Sequence, residues 1–331
     1  MGIRRSMSLP DAQRERLIKK LEREIHGPIQ TALMEEDVTE VILNPNGQLW
    51  KIGRKTGWEL IDELSAIQSD SIVTTVATLT DNTVTKASPE FQCAFPLCGS
   101  RFQGIIPPAV SQSSFTIRKH SPVVYSLADY VKADIITPEQ SEVLAEAIAK
   151  KKNILVSGGT ASGKTTLTNT LIRVAVETGE PGERFILIED TRELQCSTDN
   201  VVSLHAYTRE MLSQFAQVAM RLRPDRVIVG EVRGREAYDL MYLLNSGHPG
   251  SFTTIHANNA RMALHKFLML ARKAGETVHP IEVSECFDLV LSIRRTSTGL
   301  KLKELSEVIS YDGSDFIVNR LCPKDEREGE Q

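Results

Sequence analysis

Little in this sequence supports a disulfide scaffold. The five cysteines (Cys93, Cys98, Cys196, Cys286 and Cys322) form an odd, scattered set, whereas disulfide frameworks use even numbers at regular spacings. Cys93 and Cys98 lie close in sequence, but no second pair and no finger-spaced histidine accompanies them. A structural zinc site is therefore not expected, and the thiols point to a reducing, cytoplasmic compartment. Long apolar runs are also missing. No stretch approaches the ~20 residues that cross a bilayer. The opening Met1-Gly2-Ile3-Arg4-Arg5-Ser6 matches a short lipidation pattern and carries twin arginines, yet no apolar segment follows, which argues against an export signal. Any membrane contact is expected to be peripheral. Aromatic residues make up only 5%, and the net charge is -4 with a pI near 6.0. A chain without an aromatic-basic stripe or a basic balance is not built for direct nucleic-acid binding.

What remains is ordinary globular material. Hydrophobic residues make up 41% and charged residues 25% of 331 positions, enough for two domains with real cores. Residues 8–26 suggest a first helix with Leu17, Ile18, Leu21 and Ile25 on one face and Arg14, Arg16, Lys19, Lys20 and Arg23 among or opposite them. Such a basic amphipathic helix lies either on an anionic membrane or on its own domain; packing on its own domain is the expectation. Val38 to Leu43, the turn Asn44-Pro45-Asn46-Gly47 and Gln48 to Ile52 read as a hairpin. A helix near 63–82 and three short strands ending at Arg118 complete an α/β first domain over 1–120. Residues 121–136, with a proline and no clean period, are read as a linker.

The second domain, 137–331, opens on Thr137-Pro138-Glu139-Gln140, where Thr137 caps a helix and Gln140 reaches back in a capping box. Strands then alternate with helices: Asn153 to Val156, Arg184 to Ile188, Val201 to Leu204, Val227 to Val229 and Ser251 to Ile255. That alternation predicts a largely parallel sheet covered on both faces. The charged tail Lys324 to Gln331 is expected to be disordered.

Four segments carry chemistry. Gly158-Gly159-Thr160-Ala161-Ser162-Gly163-Lys164-Thr165, followed by Thr166, satisfies G-x-x-x-x-G-K-[ST] between a strand and a helix, the context a phosphate-cradling loop requires. Its backbone N–H groups and the helix N-terminus favour phosphate charge; Lys164 would contact the β- and γ-phosphates, and Thr165 would bind Mg²⁺. Val227-Ile228-Val229-Gly230-Glu231 ends a buried strand in a carboxylate suited to Mg²⁺, directly or through water. Ile186-Leu187-Ile188-Glu189-Asp190 ends another in two acids. Glu189 is a candidate to orient or deprotonate the attacking water, although acids at strand ends also serve as turn and cap residues. His256 closes a third strand, where a γ-phosphate contact competes with a structural role.

GGTASGKTT, LIEDTREL, RLRPDRVIVGEVRG and GHPGSFTTIHANN, in this order and spacing, resemble the Walker A, Asp, Walker B and His boxes of type II and type IV secretion ATPases. VTEVILNPNGQLW, GSRFQGIIPP and FTIRKH look like the TrbB-type conjugal-transfer branch, and the likeness covers about residues 30–300. The resemblance implies an α/β N-terminal domain and a RecA-like P-loop NTPase C-terminal domain, ATP as substrate with Mg²⁺, and a homo-hexameric ring. It places that ring at the cytoplasmic face of the inner membrane, with inner-membrane components of a type IV secretion system as partners. It further implies that Arg101 and Arg118 reach the phosphates; the subunit supplying them is left open. Arg221, Arg223 and Arg233 flank the second acidic strand and serve either neighbouring subunits or salt bridges. The four-cysteine zinc site of some relatives is not matched by Cys93 and Cys98.

The leading expectation is thus a hexameric ATPase powering assembly of, or substrate transfer through, a conjugative type IV secretion system. A pilus extension or retraction motor of the same superfamily, a nucleic-acid translocase, and a non-hydrolysing switch are the alternatives.

Overall fold

The computed structural model describes residues 10–119, 123–206 and 208–322. The opening hexapeptide and the tail from Lys324 lie outside the described residues. By internal contacts the chain divides into Met1–Ser121 and Pro122–Gln331.

In the first unit, α1 (Asp11–Ile25) and α2 (Pro28–Met34) precede β1 (Val38–Leu43), β2 (Gln48–Gly53) and β3 (Gly57–Glu63). Helix α3 (Ala66–Leu79) and β4 (Glu90–Ala94), β5 (Arg101–Ile105) and β6 (Ser114–Arg118) follow. The six strands form an antiparallel sheet in the order β3-β2-β1-β6-β5-β4. Strand alternation sends Val41, Leu43, Phe102, Phe115 and Ile117 into one core, where Leu21 and Ile25 of α1 and Val73 and Val76 of α3 meet them. The apolar stripe of α1 is therefore spent within its own unit, as expected. Two elements escaped the sequence reading. The predicted helix near 63–82 begins only at Ala66, because Ser65 and Gln68 close a capping box there. The residues before it pair with β2 as the edge strand β3, and α2 is a two-turn helix too short to show a period.

The second unit begins with α4 (Leu127–Lys132), inside the stretch read as a linker. Ser126 and Asp129 form its capping box, and Leu127, Tyr130 and Ile136 are buried in this unit's core. A single six-residue helix leaves too short a pattern to read. Helix α5 (Pro138–Ala149) starts on the expected box: Thr137 N–H donates to Gln140 Oε1 at 3.0 Å and Gln140 N–H to Thr137 Oγ1 at 3.2 Å. Then come β7 (Ile154–Gly158), α6 (Lys164–Thr178), β8 (Phe185–Glu189), β9 (Val201–His205), α7 (Arg209–Ala219), β10 (Arg226–Val229), α8 (Glu236–Leu244) and β11 (Phe252–Ile255). Helices α9 (Ala260–Ala271) and α10 (Pro280–Cys286) lead to β12 (Leu289–Thr296), β13 (Gly299–Tyr311) and β14 (Phe316–Arg320).

The sheet order is β14-β13-β12-β7-β11-β10-β8-β9. Strands β12 to β9 in that list pair in parallel, and β13 and β14 add an antiparallel margin. The continuous apolar runs follow from burial on both faces. Ile154, Val156, Phe185 and Leu187 face α4, α5 and α6 in one core. Leu155, Ile186, Ile188 and Val227 face α7 to α10 in the other. Each fully buried side chain of this size contributes roughly 1.5–3 kcal/mol, so the strand ends are held on a rigid base.

Candidate nucleotide-binding site

Parallel register brings the motifs to one edge. Ile255 stands opposite Ser157, so His256 follows beside Gly158; Val229 stands opposite both Thr253 and Ile188. Gly158, His256, Glu231 and Glu189 thereby end neighbouring strands in the spatial order β7, β11, β10, β8. This is the carboxyl edge, where open α/β sheets bind ligands.

The loop from Gly158 to Gly163 has a conformation suited to phosphate. Ala161 (φ 56°) and Gly163 (φ 80°) both take the left-handed region before α6 begins at Lys164. A side chain at Gly158 would lie 2.5 Å from the carbonyl of Ile293 on β12, so only glycine permits that strand pairing at the loop's entrance. Lys164 is buried, and its Nζ donates inward to the carbonyls of Gly158 at 3.2 Å and Gly159 at 3.0 Å. The Thr165 and Thr166 hydroxyls, in the first turn of α6, make no hydrogen bond with a described residue.

A charged chain runs from that lysine across the edge. Lys164 Nζ also lies 3.2 Å from His256 Nδ1, and His256 Nε2 lies 2.9 Å from Glu231 Oε1. An ammonium has only protons to offer, so Nδ1 accepts and the proton of the neutral ring sits on Nε2. It lies close to Glu231 Oε1 but without hydrogen-bond geometry: that buried oxygen has no hydrogen-bond partner among the described residues. Burial and the neighbouring Lys164 charge outweigh Glu231 and depress the His256 pKa, keeping the ring neutral at pH 7. Arg233 then joins both acidic strand ends: its guanidinium donates to Glu231 Oε2 and to Asp190 Oδ2, each at 2.8 Å. Burial pushes the Glu231 pKa upward, but the Arg233 hydrogen bond and charge, with His256 and Lys164, bring it below the usual value. The hydrogen bond to Glu231 raises that of Arg233. Glu236 fixes the turn beneath by accepting from the N–H groups of Arg233 and Gly234 at 2.6 and 2.7 Å.

Glu189 differs. Its Oε2 accepts from the N–H groups of Glu193 and Leu194 at 2.7 and 2.9 Å, closing the loop after β8, while Oε1 makes no hydrogen bond with a described residue. Burial pushes its pKa up to about 7 against those two bonds. An acid raised in this way keeps its proton in the folded state after the unfolded chain has lost it. Stability therefore falls as pH rises from about 4.5 through about 7, by on the order of 3 kcal/mol from this group. Glu189→Gln should flatten that fall, because the amide oxygen still accepts both N–H bonds and carries no charge. Urea unfolding of both proteins at pH 5.5 and 7.5 measures it; equal slopes would assign the pH dependence elsewhere.

Of the sequence candidates, Lys164, Glu231 and His256 are joined by contact, and Glu189 ends the adjacent strand. Arg101 and Arg118 belong to the first unit, as partners across β5 and β6 on the sheet face opposite the core residues Phe102 and Ile117; Arg118 Nε lies 3.7 Å from Glu40. Arg233, for which the sequence leaves neighbouring subunits or salt bridges open, forms salt bridges that tie the acids of its own chain. Arg221 and Arg223 are exposed. His205 is not among the sequence candidates, and Asp190 figures there only as the second acid at its strand end. The pairing of His205 with Glu189 across β8 and β9 is a non-local fact, although Asp190 stands within LIEDTREL. Among the described residues no three-residue cluster of His, Cys, Asp or Glu is arranged to hold a metal ion.

The family model described as Type II/IV secretion system protein matches residues 102–324. The chain belongs to that family. The "Probable conjugal transfer protein TrbB" of Sinorhizobium fredii is 35% identical over 313 residues, which cover 95% of this chain and 96% of that protein. The "Type IV secretion system protein VirB11" of Bartonella henselae is 30% identical over 329 residues, covering 84% of this chain and 90% of its own. Among solved structures, the pilus retraction motor PilT with bound ADP aligns with a TM-score of 0.60 at 16% identity, over 91% of this chain and 81% of that one. The ATPase DotB of Legionella pneumophila aligns at 0.55 and 16%, over 96% of this chain and 81% of that one. At those identities the likeness is one of fold, and it agrees with the expected α/β architecture of two domains. The family member's conjugal-transfer likeness, read from VTEVILNPNGQLW onward, agrees with its 35% identity to TrbB. No helix among the described residues is long and apolar enough to cross a membrane.

Proposed function

We propose that the protein hydrolyses Mg-ATP and drives assembly of, or substrate transfer through, a conjugative type IV secretion apparatus. The observation that carries the reading is the continuous contact Lys164–His256–Glu231–Arg233 beside a phosphate-shaped loop. It couples the group that would hold phosphate to the acids that would serve the metal. Near-complete alignment with conjugal transfer proteins supports the context.

The roles follow from what each side chain has to offer. Lys164 and the backbone from Gly158 to Thr165 neutralise the phosphates. The hard oxygens of Thr165 and Glu231 suit Mg²⁺, which keeps several waters; Arg233 holds Glu231 Oε2, and Oε1, without a hydrogen-bond partner among the described residues, is left to serve the ion directly or through its water shell. When bound, Mg²⁺ supplies charge neutralisation at the β- and γ-phosphates. Glu189, whose Oε1 has no described partner and whose pKa lies near 7, orients the attacking water and accepts its proton. His256, with its proton held on Nε2, reports on the γ-phosphate through Lys164. Arg101 and Arg118 add charge-assisted contacts to the triphosphate. The active form is a homo-hexamer at the cytoplasmic face of the inner membrane, in contact with membrane components of the apparatus.

ATP turnover followed against protein concentration, with sedimentation alongside, tests this. Activity should rise as a six-subunit species forms, and Glu189→Gln should bind nucleotide while losing at least 100-fold in turnover. A wild type that stays monomeric and binds ATP without hydrolysing it would replace the motor with a nucleotide switch.

A further inference from the structure

Helix α6 carries an asparagine among the residues that build its core face. Leu167, Leu171 and Ile172 are fully buried there, and Asn169 is buried with them. An asparagine inside a helix competes with the backbone for hydrogen bonds, and a buried amide without partners is costly. Asn169 directs both of its groups to one loop. Its Nδ2 donates to the carbonyl of Glu193 at 2.9 Å, and its Oδ1 accepts from the N–H of Gln195 at 3.0 Å. These partners fix the orientation of the amide, since turning it over would set donor against donor and oxygen against oxygen.

That loop is the one that holds Glu189. The peptide joining Glu193 to Leu194 has its carbonyl on Asn169 and its N–H on Glu189 Oε2 at 2.9 Å, and the N–H of Glu193 reaches the same oxygen at 2.7 Å. A trans peptide is planar, and its C=O and N–H point in opposite directions. A clamp on the oxygen therefore sets where the N–H points. Hydrogen bonds in series also polarise one another, so Asn169, the peptide and the carboxylate form one chain from α6 to the end of β8. With Oε2 pinned by two N–H groups the carboxylate does not rotate freely, and Oε1 keeps one direction. Asn169 lies on the helix that opens at Lys164, so the phosphate loop and the acid share one rigid reference. Leu194 packs against the core that contains Leu167 and Leu171, which keeps the loop beside α6 when the amide is removed.

We propose that Asn169 is a positioning residue for hydrolysis: through the Glu193–Leu194 peptide it sets the direction in which Glu189 meets the attacking water. The inference rests on Glu189 acting on that water as proposed above. Asn169 itself touches neither nucleotide nor water, so its removal acts on turnover and leaves nucleotide binding in place.

The test compares the full chain with Asn169→Ala, Glu189→Gln and the double variant, with ATP turnover counted per nucleotide-binding chain so that unfolded protein does not enter. Asn169→Ala should lower kcat by about tenfold or more while KM for ATP stays within about threefold. In the Glu189→Gln background the same substitution should change turnover by less than about twofold, because the group it positions is already gone. A second readout needs no turnover. Loosening the two N–H groups that favour the carboxylate should make Glu189 titrate at higher pH in Asn169→Ala, as followed by carboxyl ¹³C NMR. The other charges facing it, Asp190 and Glu193 on its own loop and His205 paired with it from β9, stay in place. An unmoved Glu189 titration, a rise in KM without a fall in kcat, or an equal loss in both backgrounds overturns the proposal alone. Full turnover by Glu189→Gln overturns the role of Glu189 itself, and the positioning role with it.

Discussion

Replacing Lys164 with alanine is expected to lower ATP turnover by at least 1,000-fold, or about 4 kcal/mol of transition-state stabilisation. The ammonium is buried at the centre of the loop, fixed by two carbonyls and by His256 Nδ1. A charge pre-positioned in this way needs no rearrangement to meet the phosphate charge that develops during hydrolysis. A second readout separates this role from general damage. Lys164 is one of the groups that hold the His256 pKa down, so in the nucleotide-free variant the ring should titrate at higher pH than in the wild type. Histidine proton NMR across pH 5 to 8 would show the move, and circular dichroism should be unchanged. Full turnover in the variant would remove Lys164 from the reaction. An unmoved His256 titration would contradict the contact between them.

Replacing Arg226 with methionine is expected to cost 3–5 kcal/mol of stability in the second unit. Arg226, the first residue of β10, is fully buried. Its Nε donates to Glu183 Oε2 at 2.9 Å and its NH2 group to the Ile148 carbonyl at 3.2 Å. Lys151 pairs with the other Glu183 oxygen. Without the guanidinium, Glu183 keeps a buried charge with only a half-exposed partner. Gly250 completes the arrangement. It stands at φ 77°, and a Cβ there would lie 2.7 Å from a guanidinium nitrogen of Arg226; the glycine of GHPG makes room for this ion pair. The double variant Arg226→Met/Glu183→Gln should recover part of the loss, because no buried charge is then stranded. Urea unfolding of the single and double variants measures both effects. Arg226 begins the strand whose far end leads to Glu231, so nucleotide affinity should change little in the folded protein. A single variant as stable as the wild type would show that the pair is not held apart from water as its burial implies.

Much of this protein is legible in its sequence because the signals are local. The loop at Gly158, the capping box at Thr137 and the apolar strands ending in Glu189, Glu231 and His256 each depend on neighbours within a few residues, where side-chain chemistry dictates backbone geometry directly. The short elements were harder. Helices α2 and α4 span too few turns to display a period, and β3 was obscured because an edge strand need bury neither face fully. What the sequence determined, then, was the set of groups at the strand ends and the fold class that assembles them. The tertiary structure decided which of those groups touch. Insertion of β11 between β7 and β10 puts His256 between Lys164 and Glu231, and the turn after β10 lets Arg233 bind Asp190 across to β8. It also gathers Arg294 and Arg295 of β12 and Arg320 of β14 around one cavity. Strand order and register are set by the burial of two whole sheet faces, a property of the folded chain that no local segment contains.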